Sequence, residues 1–147
     1  MRPRLLTSPR ATPLNLVLVG DASDLASFVL ASMESHGVQT DFHYVEPLFD
    51  LLSKAAFGQL KYRRDVKIIK ATLPEMLFQL RYSVATHLGV VQGRFFCIEQ
   101  LPNTITLLGL FFKVAGDDSE ATRIRQTEAA RRALGKVRNI DIANSNS

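Results

Sequence analysis

Residues 90–100 (VVQGRFFCIEQ) and 104–114 (TITLLGLFFKV) are two long apolar runs parted by only Leu101-Pro102-Asn103. Parallel strands need a crossover of about a dozen residues, so a connection this short makes the two runs an antiparallel hairpin. Residues 76–82 (MLFQLRY), after Pro74, read as a third strand. A three-stranded antiparallel meander is therefore the frame that the rest of the chain must accommodate.

Upstream, residues 14–20 (LNLVLVG) form a short valine- and leucine-rich run closed by glycine, which reads as a buried strand. Asp21, Ser23 and Asp24 then offer N-cap oxygens, and Leu25, Phe28, Val29, Ser32 and Met33 fall on one helical face that ends at His36-Gly37. Val38, Thr40, Phe42 and Tyr44 alternate like a strand, while Val45, Leu48, Phe49, Leu52 and Ala56 make a helical stripe. Proline suits a first helical turn, which starts this second helix at Pro47 and ends it at Phe57-Gly58. The character of residues 38–45 stays open between strand and helix entry. Downstream of the meander, Asp117 and Glu120 stand at capping-box spacing before a final helix, with Ile124, Thr127, Ala130, Leu134 and Val137 as its expected buried face.

The expected fold is therefore α+β: an N-terminal strand and two helices, then the three-stranded meander and a C-terminal helix. At 147 residues this is one domain, placed at 14–138. Residues 1–13, with three prolines and three arginines, read as a flexible basic tail, and 139–147 as a polar one.

Charge is distributed unevenly. The chain carries a net +4, yet residues 1–50 hold three cations against six acids. The densest cationic stretch is 61–70, with Lys61, Arg63, Arg64, Lys67 and Lys70 against Asp65 alone. Such a cluster suits a phosphate backbone, because binding releases condensed counterions; a solvated connector is the plain alternative. A single cysteine, Cys97, excludes an internal disulfide, and the spacing of His36, His43 and His87 fits no common metal motif. Cys97 itself reads as a small buried hydrophobe. No apolar run approaches the ~20 residues that span a bilayer, and the N-terminus lacks a signal-peptide h-region, so the cytoplasm is the expected compartment.

Several pieces, in order along residues 14–137, carry a resemblance to a known family. They are LVLVGDASDLASF at the start, VKIIKATLPEMLFQLRY and GRFFCIEQ in the first two strands of the meander, ITLLGLFFK in the third, and TEAARRAL in the last helix. Together they resemble the RelE/ParE/HigB superfamily of bacterial toxins, in particular its phage-derived HigB-like branch. The chain departs from that pattern at Gly93, where the family prefers an aromatic residue. It departs again at Val114, where a second lysine usually follows, and in the acidic turn at 116–120.

The resemblance implies a RelE-like fold and the toxin component of a type II toxin–antitoxin system. Such a toxin cleaves mRNA on the ribosome without a metal or other cofactor, by attack of the ribose 2′-hydroxyl on the adjacent phosphate. It implies a cognate antitoxin, the ribosome and mRNA as partners, and no membrane. The matching positions place Arg81, Arg94 and Lys113 on adjacent strands as catalytic cations, with His87 in the loop after Arg81 for proton transfer. Lys61, Arg63, Arg64, Lys67 and Lys70 would hold RNA backbone. Arginine fits such chemistry because its planar fork pairs two phosphate oxygens and stays charged. Solvent-facing arginines are the plain alternative for Arg81 and Arg94. Phe95, Phe96, Phe111 and Phe112 serve either base stacking or sheet packing. Three other functions remain in view: a catalytically degenerate protein-binding module, a gyrase poison, and a small α/β nucleotide-binding domain built on VLVGDASDLASF, which lacks the glycine-rich phosphate motifs.

Overall fold

The computed structural model describes residues 3–18, 27, 30–31, 34, 42–70, 76–86, 89–114 and 119–145. Its elements run β1 (Asn15–Leu18), α1 (Phe42–Ala56), β2 (Val66–Lys70), β3 (Leu77–Thr86), β4 (Gly89–Gln100), β5 (Thr104–Val114) and α2 (Glu120–Ser145). The strands form one five-stranded mixed sheet in the order β1-β5-β4-β3-β2. β2 to β5 are successive antiparallel neighbours, and β1 joins the far side of β5 in parallel.

This corrects the expected RelE-like arrangement. The sheet has five strands where a three-stranded meander was expected. The additional antiparallel strand is β2, inside the stretch read as a charged connector. Its sequence VKIIK alternates: Val66 is buried and Ile68 packs beside it, while Lys67 between them is exposed. Five cations in ten residues obscured that period of two. β1 is an edge strand with Val17 44% exposed, not a buried one, because only β5 pairs with it among the described residues.

The helices also differ from expectation. α1 begins at Phe42, so residues 42–45 are helical and Pro47 lies inside the helix. Of the first expected helix only Ser27, Leu30, Ala31 and Glu34 are described; all four are helical and exposed, and its apolar stripe lies outside the described residues. Ser119 caps α2, the Thr122 N–H donating to Ser119 Oγ at 3.3 Å, while Asp117 of the expected capping box lies outside the described residues. α2 runs on to Ser145 through the stretch read as a tail. Of its expected buried face, Val137 is buried and Ala130 and Leu134 pack against the sheet, with Thr122 and Ala133 buried besides, while Ile124 is 51% exposed and Thr127 is exposed.

Helices cover the two faces of the sheet. α1 packs Leu48, Leu51, Leu52 and Ala55 onto Phe78, Leu80, Phe95 and Cys97. α2 packs Ala133 and Val137 onto Leu77, Phe96, Ile98, Leu108 and Phe111. Burying one such leucine or phenylalanine contributes about 1.5–3 kcal/mol. The four phenylalanines at 95, 96, 111 and 112 are at most 2% exposed, so their main role is to pack the sheet.

Residues 3–13, read from the sequence as part of a tail, join this core together with Leu14. Leu5, Leu6 and Leu14 join the α1-side cluster. The backbone N–H groups of Arg4, Leu5 and Leu6 donate to the Glu99 carboxylate at 2.7, 2.6 and 2.8 Å. Three amides satisfy a buried carboxylate that would otherwise be costly to desolvate. The nearby Cys97 thiol is pushed up by burial and then by the Glu99 charge, which leaves it an inert core group.

Candidate phosphate-binding site

Strand register brings two of the expected catalytic residues face to face. Arg81 of β3 lies directly opposite Arg94 of β4. Alternation puts both on the α2 side of the sheet: their neighbours Leu80, Tyr82 and Phe95 belong to the α1-side cluster, and Phe96 to the other.

Lys113 reaches the same side because of a bulge. Between Phe96 and Cys97 the β4–β5 register skips from Gly109 to Leu107. The extra residue reverses the alternation of β5, so that Leu107 and Leu110 pack toward α1 while Leu108 and Phe111 pack toward α2. Lys113 then sits opposite Gln92, one step along from Arg94. The ammonium of Lys136 on α2 donates to the Leu108 carbonyl at this bulge. On the other flank, Lys67 of β2 is opposite Gln79. Four strands thus contribute one cation each, Lys67, Arg81, Arg94 and Lys113, to one stripe.

Two glutamines hold the arginines. Gln79 is buried, and its Oε1 accepts from Arg81 Nε and from an Arg94 Nη, both at 3.4 Å. The other Arg94 Nη donates to Gln92 Oε1 at 3.0 Å. Arg94 Nε is buried without a hydrogen-bond partner. Among the described residues neither guanidinium meets a carboxylate, and the ion pair there is Arg64–Asp65, at 3.2 Å. Burial, and then the charge of Arg81, lowers the proton affinity of Arg94. It remains a cation at neutral pH, as arginine does in proteins.

Like charges directly opposite on neighbouring strands destabilise a sheet. A buried, unpartnered donor costs about 1–3 kcal/mol. A pair with both features is poor scaffold and good anion chemistry: guanidinium groups converge, pre-placed, on a position that an oxyanion would neutralise.

A cleft of about 700 Å³ opens at this pair. The Arg81 N–H bonds to the Asp65 carbonyl at 2.8 Å, and past that point β2 no longer flanks β3. The cleft opens along β3 beyond β2, and residues of both sheet faces line it: Tyr82 and Gly93 with Asp50 and Lys54 of α1, and Arg81, Ser83, Gln92 and Arg94. Gly93 has a local reason. A Cβ there would lie 2.0 Å from the Tyr82 ring, so only glycine leaves that ring its place. Tyr82 stacks edge-on against Phe112 at 6.2 Å, and its burial pushes the phenol up to about 12.

The expected RNA-backbone residues divide. Arg64 borders the cleft but is paired with Asp65. Asp65 also accepts from the Lys61 N–H at 2.9 Å, closing a tight turn in which Arg63 takes a φ of 74° and lies over the Tyr62 ring at 5.7 Å. Lys61, Arg63 and Lys67 are exposed, and nothing is described of the Lys70 side chain. His87 lies outside the described residues. Sequence reasoning missed Gln79 and Gln92. Their signal was present, since each stands two residues from an arginine on the same strand face.

No helix among the described residues is long and apolar enough to cross a membrane. The chain matches no family model, no curated protein and no solved structure.

Proposed function

We propose that the Arg81–Arg94 pair binds a phosphodiester of RNA, and that the protein is a toxin that cleaves mRNA on the ribosome in the cytoplasm. One observation carries the reading: two guanidinium groups on adjacent strands share one amide oxygen and meet no carboxylate among the described residues. That arrangement costs stability and returns it only when an anion arrives.

In the proposed reaction the ribose 2′-oxygen attacks the neighbouring phosphorus and the bond to the 5′-oxygen breaks. The products are a 2′,3′-cyclic phosphate and a 5′-hydroxyl. The 2′-hydroxyl loses a proton and the leaving oxygen gains one. Negative charge grows on the non-bridging oxygens, and the two arginines stabilise it more in the transition state than in the ground state. Lys113 supplies positive charge to an adjoining phosphate or to the leaving oxygen, and His87 carries a proton. Lys61, Arg63 and Lys67 hold flanking backbone. An antitoxin partner would silence such a protein by laying acidic side chains along the stripe.

A second reading is a binding module that has lost cleavage. It is favoured by what surrounds the pair: the amides of Gln79 and Gln92 and the Ser83 hydroxyl, with the Asp65 carboxylate already committed to Lys61 and Arg64.

Induced expression in a bacterial host separates the two. Wild type is expected to stop growth and to produce new ends within translated messages, while Arg81→Ala/Arg94→Ala does neither. Normal growth with intact messages and folded protein would overturn the nuclease reading. Arrest with intact messages would move the target away from RNA, for instance to gyrase.

A further inference from the structure

Beside the arginine pair a second cavity of about 450 Å³ opens between the N-terminal half of α2 and the sheet. Its walls are Ile69 of β2, Phe96 of β4 and Ala130 of α2, and its polar groups are Gln79, Gln126 and Thr127. Gln79 belongs to both places. It is 1% exposed, its Oε1 receives Arg81 and Arg94, and the same side chain lines this slot.

We propose that the slot is the base subsite of the arginine pair: it takes the nucleobase of a nucleotide whose phosphate rests on Arg81 and Arg94. This rests on the phosphate-binding reading above and adds what reads the base. The slot has the composition of a small-ligand site, with apolar walls and a few convergent polar groups. The polar groups suit a base edge. A carboxamide carries both donors and acceptors; with its oxygen committed to the guanidinium groups, Gln79 presents N–H donors, and Gln126 presents both kinds. Arg123, exposed at the mouth of the slot on α2, adds a cation where a neighbouring phosphate would pass. Because Gln79 touches the arginines and the slot together, occupancy of one place is felt at the other.

The test is calorimetric titration of the full chain at low salt with inorganic phosphate, ribose 5-phosphate and adenosine 5′-monophosphate. Wild type is expected to bind the nucleotide at least tenfold more tightly than ribose 5-phosphate. Ala130→Phe, which fills the slot, is expected to abolish that advantage and leave ribose 5-phosphate binding unchanged. Arg81→Ala/Arg94→Ala is expected to weaken all three ligands. A second readout on wild type guards against a variant that fails to fold: the Gln126 side-chain amide resonances should move with the nucleotide and stay in place with ribose 5-phosphate. Equal affinities for nucleotide and ribose 5-phosphate, an advantage that survives Ala130→Phe, or an unmoved Gln126 amide would each overturn the base slot while leaving the phosphate site standing. Binding of none of the three ligands would overturn the phosphate site and the slot with it.

Discussion

At one end of β4, Phe95, Phe96, Cys97 and Ile98 lie buried between α1 and α2, and Glu99 closes that end by accepting three backbone N–H groups. Five residues before Glu99 the same strand sets Arg94 against Arg81 and leaves the Arg94 Nε buried without a partner. At the first end three amides complement a carboxylate. At the second, no carboxylate pairs with either guanidinium among the described residues, although Asp50 and Asp65 line the same cleft. A sheet that satisfies a carboxylate with three amides at one end and opposes two cations at the other is what the proposed phosphate site predicts, with local stability given up where an anion would bind.

Substitutions should separate the two ends by sign. The largest effect is expected at the packed end: Phe95→Ala removes a ring that is 1% exposed and should destabilise by about 3–5 kcal/mol in chemical denaturation. Next, Glu99→Gln keeps the shape but removes the charge that three amides share, and should cost about 1–3 kcal/mol. The accompanying sign would be faster hydrogen exchange at Leu5 and Leu6, the amides it releases. At the cationic end the sign reverses. Arg81→Gln removes a like charge from a directly opposed pair and should raise stability, by about 0.2–1 kcal/mol at low salt and less at high salt. A loss of several kcal/mol there would mean that the pair is structural and would erase the contrast.

Tyr82 sharpens the comparison through pH. Its folded pKa of about 12 exceeds the ordinary 10, so the folded state holds the phenolic proton more tightly than the unfolded chain. The stability this represents is fully present below pH 10 and is lost as pH rises toward 12. Tyr82→Phe should remove that alkaline slope. Spectrophotometric titration of wild type should show one tyrosine ionising late.

Much of the packed end was legible in the sequence. The three-residue connection at 101–103 forces the β4–β5 hairpin, and the bounds of β5 follow from its apolar run. The errors arose where tertiary packing outweighed local pattern. β2 hid because its lysines outnumbered the alternation of Val66 and Ile68. Residues 3–13 hid because prolines and arginines read as a tail, whereas the partner that anchors them, Glu99, lies 93–95 residues away. The α2 stripe held at Ala130, Leu134 and Val137 and failed in the first turns, where Ile124 is exposed and Thr122 is buried. Of the site, the identities of Arg81, Arg94 and Lys113 were readable. Their shared face was not, because for Lys113 it depends on a bulge that no spacing rule reveals.

The most direct test of the central claim is binding of a short single-stranded RNA across a range of salt, wild type beside Arg81→Ala/Arg94→Ala. If the pair is a phosphate site, wild type should bind with a steep salt dependence. The double variant should bind much more weakly, with a slope reduced by roughly 0.7 for each phosphate contact removed, while remaining at least as stable as wild type. Equal affinity and equal slope for the two proteins would show that the opposed arginines hold no phosphate, and the account would fail at its centre.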